Sequence, residues 1–171
     1  RGGGGRVHFH GEDDSVVQAR QTDVTLVNDI QHALSNDGFM LYRQPICTLN
    51  PSVGSSLHSW EVLLRMKGAD GEFVPPQKIL NVAERFSFAP RIDRWVVTHA
   101  FEWLNGRPEE FEHVDCLNIN LSGRSVGDKE FMDFLESQTS SLAVETSRIC
   151  FEITETAAAG AGARDFILRL K

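Results

Sequence analysis

Three short stretches of this chain place oxygen-bearing side chains on one face and aliphatic side chains on the other. In Ser59-Trp60-Glu61-Val62-Leu63-Leu64-Arg65, a strand period of two puts Trp60, Val62 and Leu64 on one side and Glu61, Leu63 and Arg65 on the other. In residues 116–122 the apolar face is Leu117, Ile119 and Leu121, opposite Asn118, Asn120 and Ser122. In residues 149–155 the apolar face is Ile149, Phe151 and Ile153, opposite Glu152 and Thr154. An acid or amide on an otherwise apolar strand costs desolvation unless water or a ligand meets it. Three such strands side by side would form the wall of a site. Carboxylate and amide oxygens without neighbouring His or thiolate ligands suit a hard cation such as Mg²⁺ or Mn²⁺.

The elements that must carry these residues are legible from punctuation and period. Residues 15–37 predict a helix, with Ser15 as N-cap, Val24, Val27, Ile30 and Leu34 as the buried stripe, and Asn36-Asp37-Gly38 as the stop. Residues 39–46 alternate as a strand, and residues 50–54 turn the chain back before Glu61. Gly68-Ala69-Asp70-Gly71 is a second turn. Pro75-Pro76 opens a helix burying Ile79, Val82/Ala83 and Phe86. Pro90 opens another, burying Ile92, Trp95/Val96, Phe101, Trp103 and Leu104, with Gly106 as its stop. Asp128 caps a helix presenting Phe131, Leu135 and Gln138, and residues 157–170 predict a last helix weakened by Gly160 and Gly162. From Glu61 onward strands alternate with helices, which predicts parallel β/α units with ligands near the strand ends.

The motifs resemble those of the EAL domain, the bacterial cyclic di-GMP phosphodiesterase family. Glu61-Val62-Leu63-Leu64-Arg65 is similar to its ExLxR signature, Asn120-Leu121-Ser122 to its NxS, and residues 151–155 to its FEITE. Residues 42–46 resemble its opening strand, and Ala83-Glu84 with residues 92–96 its early helices. Val62 stands where the signature has alanine, at a position facing away from the site. The resemblance runs over residues 27–171 and implies an EAL-type, TIM-like (β/α) barrel. From residue 27 the sequence holds little more than half the ~250 residues of a typical barrel.

By resemblance, Glu61, Asn120 and Glu152 are ligands of one catalytic metal, with Glu61 and Glu152 in the catalytic set. Gln44, Leu63 and Arg65 contact substrate, Arg65 through a phosphate, with a structural ion pair to Glu84 or Asp93 as the rival for Arg65. Glu155 supports the metal ligands or caps a helix. Asn118 is expected to hydrogen-bond neighbouring strands rather than bind metal. The family holds its second metal through an aspartate pair on the following strand, and a later lysine and glutamate assist the attacking water. Residues 1–171 do not include these, so this segment alone is expected to be inactive. The implied function is hydrolysis of cyclic di-GMP to linear pGpG in second-messenger signalling. The alternatives are a degenerate EAL module that binds cyclic di-GMP or a protein without turnover, and a purely structural oligomerisation fragment.

Residues 1–14 are Gly-rich and then His- and acid-rich, and are expected to be a linker or the remnant of a preceding GGDEF domain, since residues 5–9 resemble that family's final strand. Exposed side chains are the simpler account of His8 and His10 than a metal pair. Residues 15–38 are then a connecting helix and 39–171 the N-terminal part of the EAL domain. A net charge of −7 among 171 residues argues against general DNA, RNA or membrane-surface binding. Cys47, Cys116 and Cys150 lack metal-type spacing, and the two in predicted strands are expected to be buried, reduced thiols. No apolar run is long enough to cross a bilayer and no leader pattern is present, so a cytoplasmic location is expected. Homo-oligomerisation through the EAL domain is expected as well.

Overall fold

The computed structural model describes residues 12–47, 58–112, 114–160 and 162–170. Residues 1–11 of the expected linker or GGDEF remnant, with His8 and His10, and the turn at 50–54 fall outside these, while residues 12–14 belong to the first helix. In chain order the elements are α1 (Glu12–Ser35), β1 (Phe39–Ile46), β2 (His58–Met66), α2 (Pro76–Arg85), α3 (Ala89–Gly106) and α4 (Pro108–Phe111). They continue with β3 (Val114–Leu121), α5 (Gly123–Val126), α6 (Lys129–Ser140), a 3-10 turn (Thr146–Arg148), β4 (Ile149–Ile153), α7 (Glu155–Ala158) and α8 (Ala163–Arg169).

The four strands form one sheet in the order β1-β2-β3-β4. β1 runs antiparallel to β2, and β2, β3 and β4 are mutually parallel. The parallel strands are joined through helices, as β/α units require. Leu117, Ile119 and Leu121 of β3 are buried with Ile92, Val96, Val97 and Leu104 of α3, so the apolar faces expected from the period of two point into the core. Val62 is buried on that same side, which explains why a residue larger than alanine is accommodated away from the polar face.

Several expected boundaries shift. α1 begins at Glu12, so Ser15 lies inside the helix instead of capping it. Its buried stripe is Leu26, Ile30 and Ala33, with Val27 and Leu34 partly covered, while Val24 is 58% exposed. The stripe is rotated because α1 packs against α2 and α3. The stop is as expected: Asp37 takes a left-handed φ of 53°, and Gly38 N–H donates to the Ala33 carbonyl at 2.9 Å. Phe86 follows the last turn of α2 and is 43% exposed, whereas Ile79, Val82 and Ala83 are buried.

The final helix is two helices. Gly162 sits where an added Cβ would lie 2.9 Å from the Gly127 Cα, and that close backbone approach separates α7 from α8. α4 is an unanticipated single turn opened by Pro108.

The thiols also depart from expectation. All three are free, but Cys150 and Cys47 are exposed and Cys116 is half-buried. Cys116 and Cys150 lie on the polar face of the sheet, opposite the apolar core, so strand membership did not bury them. Burial and the neighbouring Cys150 push the Cys116 thiol up to about 11.

Candidate functional site

The register aligns the polar residues across four strands. Gln44 of β1 lies opposite Glu61 of β2, Glu61 opposite Asn118 of β3, and Asn120 opposite Glu152 of β4. Leu63 pairs with Tyr42, and Arg65 with Met40, further toward the C-terminal end of β2. Strand parity therefore places Gln44, Glu61, Leu63, Arg65, Asn120 and Glu152 on one face. Glu155 is not on that face; it opens α7, where a carboxylate complements the exposed amides of the helix start.

Glu61 and Asn120 are in direct contact: Asn120 Nδ2 donates to Glu61 Oε1 at 2.8 Å. This bond engages the amide nitrogen and leaves Asn120 Oδ1 available as an acceptor or ligand. Asn118 turns its Nδ2 to the Trp60 carbonyl at 3.1 Å, and Cys116 Sγ is 3.6 Å from its Oδ1, so it bonds the neighbouring strand as expected. Arg65 donates Nη1 to the Leu64 carbonyl at 2.8 Å and lies 5.6 Å from the Tyr42 ring centroid. Neither Glu84 nor Asp93 forms an ion pair with it among the described contacts.

Two strand ends share one construction. Two residues after Asn120, Ser122 caps α5, its Oγ accepting from Ser125 N at 3.3 Å. Two residues after Glu152, Thr154 caps α7 in the same way, accepting from Ala157 N at 3.3 Å. β3 and β4 are thus each ended by a hydroxyl that turns the backbone into a short helix and fixes the strand's last residues. α5 and α7 pack together where Gly123 admits Ala157, whose Cβ would be 3.1 Å from an added Cβ.

Asp93 is the residue whose part in this arrangement sequence reasoning missed. It is buried on α3, accepting from Ser122 N–H at 2.8 Å and from Ser125 Oγ at 2.6 Å. It ties the loop behind Asn120 to the core. Desolvation raises its carboxyl above the ordinary range, against the lowering effect of the two serines. The available signal was an acid at the heart of an apolar helical stripe, between Ile92 and Val96.

A cavity of about 560 Å³ lies on the opposite face of the sheet, beside Phe39, Arg43, Trp95, His99 and Trp103. Its polar groups are paired with one another. Asp37 Oδ1 accepts from Trp95 Nε1 at 3.0 Å and lies 2.9 Å from His99 Nε2, and Arg43 sits over Trp60 and Trp103 while bonding Glu110 at 3.0 Å. Trp95 and Trp103 are therefore half-buried framework beside the fully buried Phe101.

A hard cation fits the donors on the polar face. Glu61, Glu152 and Asn120 offer oxygens from three adjacent strands, with Asn120 Oδ1 free of a hydrogen-bond donor in the Glu61 contact. Among the described residues no group of three or more His, Cys, Asp or Glu side chains gathers to hold a metal, so this set would hold an ion together with water or substrate oxygens.

Such a face, on parallel β/α units and with Asn120 and Glu152 near the C-terminal ends of β3 and β4, is of the kind a β/α barrel presents. The EAL domain family matches residues 27–171, and the chain belongs to that family. It is 31% identical over 156 residues to the cyclic di-GMP phosphodiesterase PdeB of Shewanella oneidensis, covering 91% of this chain and 18% of that protein. It is 33% identical over 134 residues to the cyclic di-GMP phosphodiesterase PdeF of Escherichia coli, covering 78% of this chain and 17% of that one. The chain thus spans under a fifth of either relative. The FimX EAL domain of Xanthomonas citri, solved with c-diGMP, shares the fold with a TM-score of 0.74 at 24% identity, over 90% of this chain and 58% of that one. The FimX EAL domain of Pseudomonas aeruginosa, bound to c-di-GMP, superposes with a TM-score of 0.67 at 26% identity, over 84% and 54%. The fold is that of the EAL domain's TIM-like barrel, of which the described residues supply four strands.

Proposed function

We propose that this chain is the N-terminal portion of a cyclic di-GMP phosphodiesterase domain, producing linear pGpG by divalent-metal-assisted hydrolysis. The observation that carries the reading is the Glu61–Asn120 hydrogen bond. It orders two oxygen donors beside Glu152 on the polar face of the sheet.

In this reading Glu61, Asn120 and Glu152 hold Mg²⁺ or Mn²⁺, which when bound lowers the pKa of a water and offsets phosphate charge. Glu61 and Glu152 supply anionic oxygens, and Asn120 keeps Glu61 oriented. Arg65, beyond Glu61 on the same strand, receives a phosphate of the substrate. Gln44 and Leu63 line the adjoining surface on β1 and β2 and orient the ligand. Glu155, at the start of α7, steadies the end of the Glu152 strand. A soluble cytoplasmic setting suits a dinucleotide second messenger, and no described helix is long and apolar enough to cross a membrane. Residues before α1 are assigned to a linker or the end of a GGDEF domain, α1 (Glu12–Ser35) to the connecting helix expected at 15–38, and 39–171 to the EAL domain.

The test is chromatographic detection of linear pGpG from cyclic di-GMP, using the encoded protein with Mg²⁺ or Mn²⁺. Turnover that disappears in Glu61→Ala, Asn120→Ala and Glu152→Ala, with circular dichroism unchanged, is the expected result. Residues 1–171 alone should give no product. Tight binding of cyclic di-GMP with no turnover would assign a receptor module instead; neither binding nor turnover would sink both.

A further inference from the structure

Tyr42 and Phe73 are large aromatics left 47% and 46% exposed, and they touch each other edge-to-face with ring centroids 5.9 Å apart at 80°. Tyr42 stands on β1 opposite Leu63, on the same face as Glu61. Phe73 comes from the loop that follows β2. That loop is rigidly built: Lys67 and Phe73 pair as an antiparallel bridge, and Gly68 N–H donates to the Glu72 carbonyl at 2.8 Å. Glu72 N–H donates to Asp70 Oδ1 at 3.0 Å, and Gly71 takes a φ of +82° that favours glycine. Val74 N–H returns to the Met66 carbonyl at 2.9 Å. Backbone geometry therefore holds Phe73 out beside Tyr42.

Two cations frame the pair. Arg65 lies 5.6 Å from the Tyr42 ring centroid, and the Lys67 ammonium 5.7 Å from that of Phe73. Among the described residues, neither Arg65 nor Lys67 pairs with a carboxylate. In a chain of net charge −7, this corner combines open ring surface with positive charge beside the metal-type oxygens. A ligand that is planar at one end and anionic at the other matches both features. Packing the hairpin would need only the edge-to-face contact itself and would not call for both rings to remain half open.

We propose that Tyr42 and Phe73 form the stacking platform for a purine base of the nucleotide ligand, with Arg65 and Lys67 taking its phosphate charge. This rests on the nucleotide reading of the site above. It adds Tyr42, Phe73 and Lys67 to the residues that recognise the ligand. The base lies against the rings at the β1–β2 edge, and the phosphate points along β2 toward Glu61.

Calorimetric binding of cyclic di-GMP, GMP and ribose 5-phosphate to the encoded protein and its variants tests the assignment. Wild type should bind both guanine ligands and bind ribose 5-phosphate far more weakly. Tyr42→Ala and Phe73→Ala should each weaken the guanine ligands about tenfold or more, and Tyr42→Phe should restore binding. Lys67→Ala should weaken ribose 5-phosphate and GMP by similar factors. If wild type binds cyclic di-GMP and both alanine variants bind it equally well, the platform is wrong while the phosphodiesterase reading stands. If wild type ignores cyclic di-GMP, that reading falls. The platform then survives only if GMP still binds and loses affinity in Tyr42→Ala; GMP that fails to bind, or binds indifferently to the substitution, overturns it.

Discussion

Asn120 orders the fold through Glu61 and, in the proposed function, is also a metal ligand. Its amide nitrogen neutralises nothing but holds Glu61 in place. Asn120→Asp removes that donor and sets two carboxylates about a hydrogen bond apart. The variant should melt below wild type without metal and recover on adding Mg²⁺ or Mn²⁺, because a bound cation offsets the like charges. A thermal scan with and without the ion reads this; a metal-independent melting temperature would place no cation there. At Asp93 the expected loss is larger. Asp93→Ala strips the partner from a backbone N–H and a buried hydroxyl, costing about 2–3 kcal/mol in urea unfolding. The pH dependence has a defined sign. A carboxyl whose folded pKa is raised contributes stability below its unfolded pKa and loses it as pH rises through the folded value. Wild type measured against Asp93→Asn should therefore lose ground from about pH 4 upward, where an unfolded aspartate releases its proton. A difference independent of pH would show that Asp93 is not desolvated. The thiols offer a simpler check: iodoacetamide should label exposed Cys150 and Cys47 well before Cys116, whose thiolate is disfavoured.

Elements, more than side chains, decide whether the ligands line up. Ser122 and Thr154 end β3 and β4 by the same capping chemistry, and α5 meets α7 through Gly123 and Ala157. The link to α8 depends on Gly162, where backbone replaces side-chain contact. Gly162→Ala would push a Cβ to 2.9 Å from the Gly127 Cα, a clash that backbone movement must relieve. Overpacking of this kind costs about 1–3 kcal/mol, so the melting temperature should fall. An unchanged one would show that α8 moves freely. α8 is otherwise held to α6 by Arg169, which bonds Glu136 and Asp133 at 2.7 and 2.8 Å and lowers the pKa of both carboxyls. These groups are exposed, so the network orients α8 more than it stabilises it.

At the scale of the molecule, the sheet has two unpaired edges among the described residues. Among the described residues β1 pairs only with β2 and β4 only with β3. Unpaired strand edges invite pairing with another chain, and a closed barrel removes them. Residues 1–171 in isolation should therefore self-associate, more strongly as salt screens the net charge of −7. Light scattering over a concentration series at two ionic strengths reads this. A monomer at high concentration, with slow amide exchange in residues 149–154, would show that the β4 edge is covered within one chain.

The sequence by itself determined the class of fold and the identity of the polar face. A strand's period of two is a local property, so the order of residues alone separates Glu61, Asn120 and Glu152 from Val62, Ile119 and Phe151. Proline and Asp128 marked helix starts for the same reason, since a missing N–H or a capping carboxylate acts within one turn. Tertiary structure alone decided the rest. Which residues of α1 are buried depends on what packs against it, so Val24 and Leu26 exchanged places. The burial of Cys116 and Cys150 depended on which face of the sheet meets the core, which strand alternation does not reveal. The bond between Asp93 and Ser122, and the meeting of Tyr42 with Phe73, join residues about thirty apart in the chain. No local period encodes such contacts; the register of β1 on β2 and the packing of α3 on β3 create them.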